Sequence, residues 1–150
     1  MSTLEILAKA AAKTPRYDLF ESGHGDLTWQ DVLQALQGVS LAKTSFALFL
    51  ITDDKTCRHY FWAGLFMDVM QHWWLREWSD RHVGAVQGLC RIAVSEWGDG
   101  KRYSDTKRAE LMGVSRGTWY RKYRDVYPDI YEIPKEWQLE LEQLLRQRLR

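Results

Sequence analysis

One tripeptide constrains this chain more than any other: Gly113-Val114-Ser115, set inside SDTKRAELMGVSRGTWYRKYRDVY, residues 104–127. Glycine is the residue that most easily leaves a helix through a left-handed conformation, and serine opens the next helix by accepting a backbone N–H. The tripeptide therefore predicts a tight turn between two short helices. Ser104 is placed to cap the first, with Asp105 favourable in its first turn, and that helix should reach Met112. The second should run from Arg116 to Val126, with Val114 plugging the angle between the two. Ala109 precedes Gly113 by four residues, where a small side chain permits close crossing, and Trp119 follows it by six, on the inner face. Ala-x3-Gly-Val-Ser-x3-Trp is the spacing of a DNA-binding helix-turn-helix.

The opposite face of the second helix agrees with this. If Trp119, Tyr123 and Val126 point inward, then Arg116, Gly117, Tyr120, Arg121 and Arg124 point outward, and together with the capping Ser115 they form the candidate DNA-contacting set of this helix. Guanidinium forks there suit guanine edges or phosphates, and a glycine lets the backbone come close to a ligand. Lys122 falls where such motifs usually carry an apolar residue, so either its stem lies along the hairpin or the helix phase shifts there. An ordinary core hairpin with a solvated basic face is the competing reading.

Charge distribution sharpens the picture. The chain of 150 residues has a net charge of only +1. Yet residues 101–124 hold Lys101, Arg102, Lys107, Arg108, Arg116, Arg121, Lys122 and Arg124 against Asp105 and Glu110, whereas the charges of residues 40–98 cancel. The first four of these cations extend the candidate DNA-binding set beyond the second helix. The expected organisation is a helical scaffold with a partner-binding region over 1–100, a DNA-binding segment over 101–131 and an amphipathic helix over 132–150. Eight tryptophans predict a large aromatic core or a partner surface.

Along the chain, residues 1–13 suit a short helix and 15–27 a turn-rich loop. Thr28 is expected to cap a helix that Gly38 stops, and Ser40 to open an apolar, buried helix ending near Thr52. Gly38-Val39-Ser40 thus echoes Gly113-Val114-Ser115, but the helix after it is too apolar and too poor in arginine to read bases. Long helices are expected from about Asp54 to Trp78 and from Ser79-Asp80 to about Trp97, the latter with Val83, Val86, Leu89, Cys90, Ala93, Val94 and Trp97 on one face. Gly98-Asp99-Gly100 reads as a turn and Asp129 to Ile133 as an irregular link. Pro134 reads as the first residue of a last helix with Trp137, Leu141, Leu144 and Leu145 in its stripe. That helix packs back on the domain, pairs with a second copy in a homodimer, or docks on another protein; the sequence leaves the three open.

Other functions find less support. Cys57 and Cys90 lack a Cys-x-x-Cys context and read as buried free thiols, and His24, His59, His72 and His82 show no metal-ligand spacing. No nucleophile elbow, phosphate-binding glycine loop or metalloprotease signature is present, so an enzyme, a cofactor and a metal are not expected. No apolar run long enough to span a bilayer and no signal pattern occur, and a cytoplasmic protein is expected.

Two stretches resemble a known family. Residues 27–51, LTWQDVLQALQGVSLAKTSFALFLI, and the segment from Arg102-Tyr103-Ser104 through Thr118-Trp119-Tyr120-Arg121 are similar to the late-gene antiterminator (Q) proteins of lambdoid phages, over roughly two thirds of the chain. The resemblance implies an all-α fold and binding to double-stranded DNA at a late promoter in a bacterial host. It further implies loading onto sigma-containing RNA polymerase paused near the promoter, and read-through of pauses and terminators without covalent chemistry. By position it assigns DNA contact to Arg116, Gly117, Tyr120, Arg121 and Arg124. Larger members carry a zinc-binding Cys-x-x-Cys pair ahead of the motif; here Gly98-Asp99-Gly100-Lys101 stands there, which removes zinc. From charge and spacing alone, a conventional repressor or activator and a helical adaptor for an acidic protein remain the alternatives.

Overall fold

Serine or aspartate caps several of the helix starts. In the computed structural model, which describes residues 29–52, 54–71 and 82–148, every regular element is helical. The expectations for residues 1–28, for His72 and the expected helix end near Trp78, and for the Ser79-Asp80 start lie outside the described residues. Helix α1 (Trp29–Ala35) is followed by a turn in which Gly38 has φ +84°, and α2 (Leu41–Thr52) begins after Ser40, whose hydroxyl accepts from Lys43 N at 3.2 Å. Asp54 opens α3 (Lys55–Gln71) by accepting from Thr56 N and Cys57 N. Helix α4 (Val83–Asp99) begins with His82 at its N-cap and ends on Gly100 in the left-handed region. Gly98 and Asp99, expected in a turn, are its last helical residues, because Lys101 N and Gly100 N reach back to the Glu96 and Trp97 carbonyls and close the helix later.

Helix α2 crosses α3 with backbones nearly touching: a Cβ on Gly64 would stand 2.2 Å from Ala42 Cβ. This closeness lets Phe46, Phe49, Phe61 and Leu65 fill one apolar centre. Phe46 lies 4.8 Å from Phe61 and meets Trp97 and Trp137 edge-on at 5.5 and 6.0 Å, geometries that add to plain burial. Not all of α2 is buried as expected, for Leu41 at its start is exposed. On α4, Val83 is likewise exposed, while Val86, Leu89, Cys90, Ala93 and Val94 are buried.

The largest departure from expectation is the last helix. It starts at Tyr127, not Pro134, and α7 (Tyr127–Arg148) contains Pro134 in its interior. Pro128 sits in the first turn, where no N–H is needed. Pro134 sacrifices one hydrogen bond, at a cost of about 3 kcal/mol. The reason it is accepted is the stripe Tyr127, Ile130, Ile133, Trp137, Leu141, Leu145, all buried, with Pro134 itself among them. The expected irregular link over 129–133 would take Ile130 and Ile133 out of register with Tyr127, and each such side chain contributes about 1.5–3 kcal/mol when buried. Packing therefore overrules the local breaker. The stripe lies against α1 through α4, Trp137 Nε1 donates to Asp68 Oδ2 at 3.2 Å, and Arg148 donates to the Ala35 and Gln37 carbonyls at the end of α1. Of the three fates left open for this helix, packing back on the domain is realised.

Candidate nucleic-acid interface

Between α4 and α7 the chain forms two short helices. Ser104, with extended backbone, accepts from Lys107 N at 3.2 Å and opens α5 (Asp105–Met112). Gly113 leaves it with φ +70°; its own N–H reaches the Glu110 carbonyl while Val114 N reaches Ala109, both at 3.0 Å. This is the paired closure that satisfies two orphan carbonyls at a helix end. Ser115 then accepts from Thr118 N at 3.1 Å and opens α6 (Arg116–Thr118). The expected continuation to Val126 is not formed: α6 widens at once into a π-helical turn (Trp119–Tyr123), closed by Arg124 N to the Trp119 carbonyl at 2.9 Å. Residues 124–126 are a turn.

The widening accounts for Lys122. A turn closed five residues back holds more residues than an α-turn. It brings Tyr123 over Trp119, with ring centres 6.1 Å apart, and swings Lys122 out to solvent. The phase shift, not a snorkelling stem, is what occurs. Trp119 is fully buried, 5.8 Å from Tyr127, with Nε1 donating to Asp105 Oδ1 at 2.9 Å; Ala109 beside it is buried too. Trp119 thus ties the start of α5, the π turn and α7 together.

Outward from this anchor, Arg116, Gly117, Tyr120, Arg121 and Arg124 are all exposed. The Arg124 guanidinium lies 4.8 Å over the Tyr120 ring, and its Nε is 3.8 Å from Asp105 Oδ2. Nothing within the fold demands glycine at 117, where a Cβ would meet only Arg121 Nη1 at 3.7 Å and Ser115 Oγ at 3.9 Å. The Ser115 hydroxyl is engaged as a cap and also donates to Thr118 Oγ1. Lys101 and Lys107 are exposed, the latter 3.8 Å over the Tyr103 ring. Arg102 lies over Tyr131 at 4.1 Å with half its side chain accessible.

Arg108 does not belong to this exposed set. Its side chain is 11% accessible; Nη2 lies 2.7 Å from Glu96 Oε1, and the guanidinium covers the Tyr127 ring at 4.5 Å. Glu96 itself is fully buried. Besides Arg108, it accepts from Tyr103 N at 2.8 Å through Oε1 and from the Tyr127 hydroxyl through Oε2. A buried charge is tolerated when it is paired and hydrogen-bonded in this way. Burial and the bond to Glu96 push the Tyr127 phenol well above its ordinary value, keeping it a proton donor. Burial, with a hydrogen bond to Asp99, pushes Tyr103 up to about 12. Glu96 is the buried residue holding this unit that the sequence reading missed. The signal was available: it stands seven residues after Leu89, on the buried stripe of α4.

Cys90 is buried and Cys57 half-buried, both free, and burial raises both thiols, Cys57 also feeling the Asp54 charge. Neither is therefore a ready thiolate nucleophile. Among the described residues no three His, Cys, Asp or Glu gather into a metal-binding group, and no helix is long and apolar enough to cross a membrane. What the arrangement offers chemically is an array of guanidinium and phenol donors held by a buried tryptophan. Comparison with protein-family models, with curated proteins and with solved structures gave no match.

Proposed function

We propose that α5, the Gly113 turn and α6 are a helix-turn-helix that reads double-stranded DNA, and that the chain is a transcription antitermination factor of the lambdoid Q type. The observation that carries the DNA reading is the two-sidedness of this unit. Ala109 and Trp119 are buried on one side, while Arg116, Tyr120, Arg121 and Arg124 are exposed on the other, with Gly117 among them. In such a motif the first residues of the second helix contact base edges, here Arg116, Gly117 and Tyr120, with Arg121 and Arg124 further along. Lys101, Arg102 and Lys107 contact phosphates and position the protein without reading sequence. Arg108 is reassigned from DNA contact to holding α5 on Glu96. The antitermination step rests on the family resemblance: bound at a late promoter, the protein transfers to paused polymerase with its sigma factor and changes how the enzyme responds to terminators.

Transcription with purified bacterial polymerase, from a cognate late promoter followed by a terminator, tests the reading. Read-through that requires both this protein and the promoter-proximal DNA is the expected result. Unchanged termination with altered initiation would make it a conventional repressor or activator. DNA binding that loses all sequence preference as salt rises would remove the DNA reading altogether.

A further inference from the structure

A second surface lies beside the basic unit. Helices α3 and α4 and the end of α5 enclose an open-sided groove of about 880 Å³. Its apolar lining includes Trp62 from α3, Ile92 from α4, and Leu111, Met112 and Val114 around the Gly113 turn. Leu111 is 54% exposed, a large apolar side chain left at the surface. Lys55, Arg58 and Arg91 also line the groove, and no aspartate or glutamate does. In a chain whose charges nearly balance overall, that is a groove of a single sign.

The cations are positioned, yet not neutralised. Arg58 donates to Ser95 Oγ at 2.8 Å and Arg91 lies 5.3 Å over the Trp62 ring. Among the described residues neither they nor Lys55 form an ion pair. Helix α4 also presents a low wall: a Cβ on Gly84 would meet nothing within 4 Å. A ligand backbone has room to come close there.

We propose that this groove docks an acidic, amphipathic helical segment of a partner protein, its apolar side chains on Leu111, Met112 and Val114 and its carboxylates on Lys55, Arg58 and Arg91. An amphipathic helix laid into an apolar groove is a recurrent recognition mode, and rim charges choose the partner. A nucleic-acid strand fits less well. Such tracks stack successive bases on free aromatic faces, whereas the rings lining this groove are engaged: Trp62 carries Phe66 in parallel and Arg91, His59 lies tilted against Trp62, and Tyr123 packs against Trp119. The groove includes both neighbours of Gly113, so a docked partner would sit directly against the turn of the basic unit. The proposal stands independently of the DNA reading.

The test is fluorescence anisotropy on the full chain with a labelled helical peptide bearing Leu and Phe at i, i+3, i+4 and i+7 and Glu elsewhere. Its twin with Lys for Glu and a single-stranded oligo(dT) serve as rivals. The acidic peptide should bind at least about tenfold more tightly than its twin. Gly84→Phe, which fills open space, and Arg91→Glu should each weaken it by about tenfold or more, with melting temperatures near that of the parent. Leu139→Ser, at an exposed α7 position that does not line the groove, should change nothing. Equal binding of the two peptides, or indifference to Gly84→Phe, overturns the proposal. Oligo(dT) binding that displaces the peptide and is lost in Gly84→Phe would make the groove a nucleic-acid track instead.

Discussion

The tripeptide Gly-Val-Ser joins two helical hairpins in this protein, and the two have opposite fates. Gly38 and Gly113 both take positive φ, +84° and +70°. Ser40 and Ser115 both accept the backbone N–H three residues on, at 3.2 and 3.1 Å. After Ser40, however, the helix is absorbed: Phe46, Ala47 and Phe49 are buried, and Phe46 meets aromatic rings from α3, α4 and α7. After Ser115, Trp119 is the only fully buried residue of α6 and the π turn, Thr118 and Tyr123 are partly buried, and the arginines face solvent. Turn chemistry specifies that a hairpin forms. What the second helix carries on its far side decides whether the hairpin is scaffold or surface.

The comparison is broken most severely by removing the anchors. Trp119→Ala should destabilise the fold by about 3–5 kcal/mol, as should Phe46→Ala in the other hairpin, read by denaturant unfolding. A Trp119→Ala protein as stable as the parent would mean that the ring is exposed and the inner face misassigned. Glu96→Gln should have an effect of similar size, about 3–5 kcal/mol, because the buried Arg108 guanidinium loses the charge 2.7 Å from Nη2 and keeps only the more distant Asp105, 3.6 Å from Nη1. The loss should be sharply reduced in an Arg108→Met background, and a double-mutant cycle measures whether it is.

Smaller changes separate the two surfaces. Arg121→Ala should weaken specific DNA binding by about 1–3 kcal/mol while moving stability by less than about 0.5 kcal/mol. Leu41→Ala, at an exposed position of the other hairpin, should leave DNA affinity unaltered. Equal losses from both, or none from Arg121→Ala, would erase the distinction drawn between the hairpins. Smallest of all, Ser40→Ala and Ser115→Ala should each cost about 1 kcal/mol of stability. Near-identical values in thermal melts would establish that the caps are equivalent and that the difference lies beyond them.

Several features of the candidate interface were legible because they are local. A serine cap is a bond to a backbone N–H three residues away, and a left-handed glycine closes a helix on its own last turn, so Ser104, Gly113 and Ser115 announce themselves in sequence. The inward placement of Trp119 follows from the same short range. The π turn did not announce itself, because it goes with the tilted packing of Trp119 against Tyr123 and against Tyr127 of α7, a tertiary arrangement rather than a propensity of WYRKY. Arg108 read as one cation among many; only the fold brings Glu96, twelve residues earlier, against it.

Pro134 marks the boundary between the two kinds of information. By itself the sequence determined the helical class, the helix starts at Ser40, Ser104 and Ser115, and the concentration of positive charge over residues 101–124, since each depends on backbone bonding or charge within a few residues. Tertiary structure decided that α7 runs through its proline, that Glu96 is buried with Arg108, and that the chain after Thr118 widens into a π turn. The physical reason is that burial is a property of what packs from elsewhere in the chain. Its free energy, summed over side chains such as Tyr127, Ile130 and Ile133, exceeds the local cost of a missing hydrogen bond.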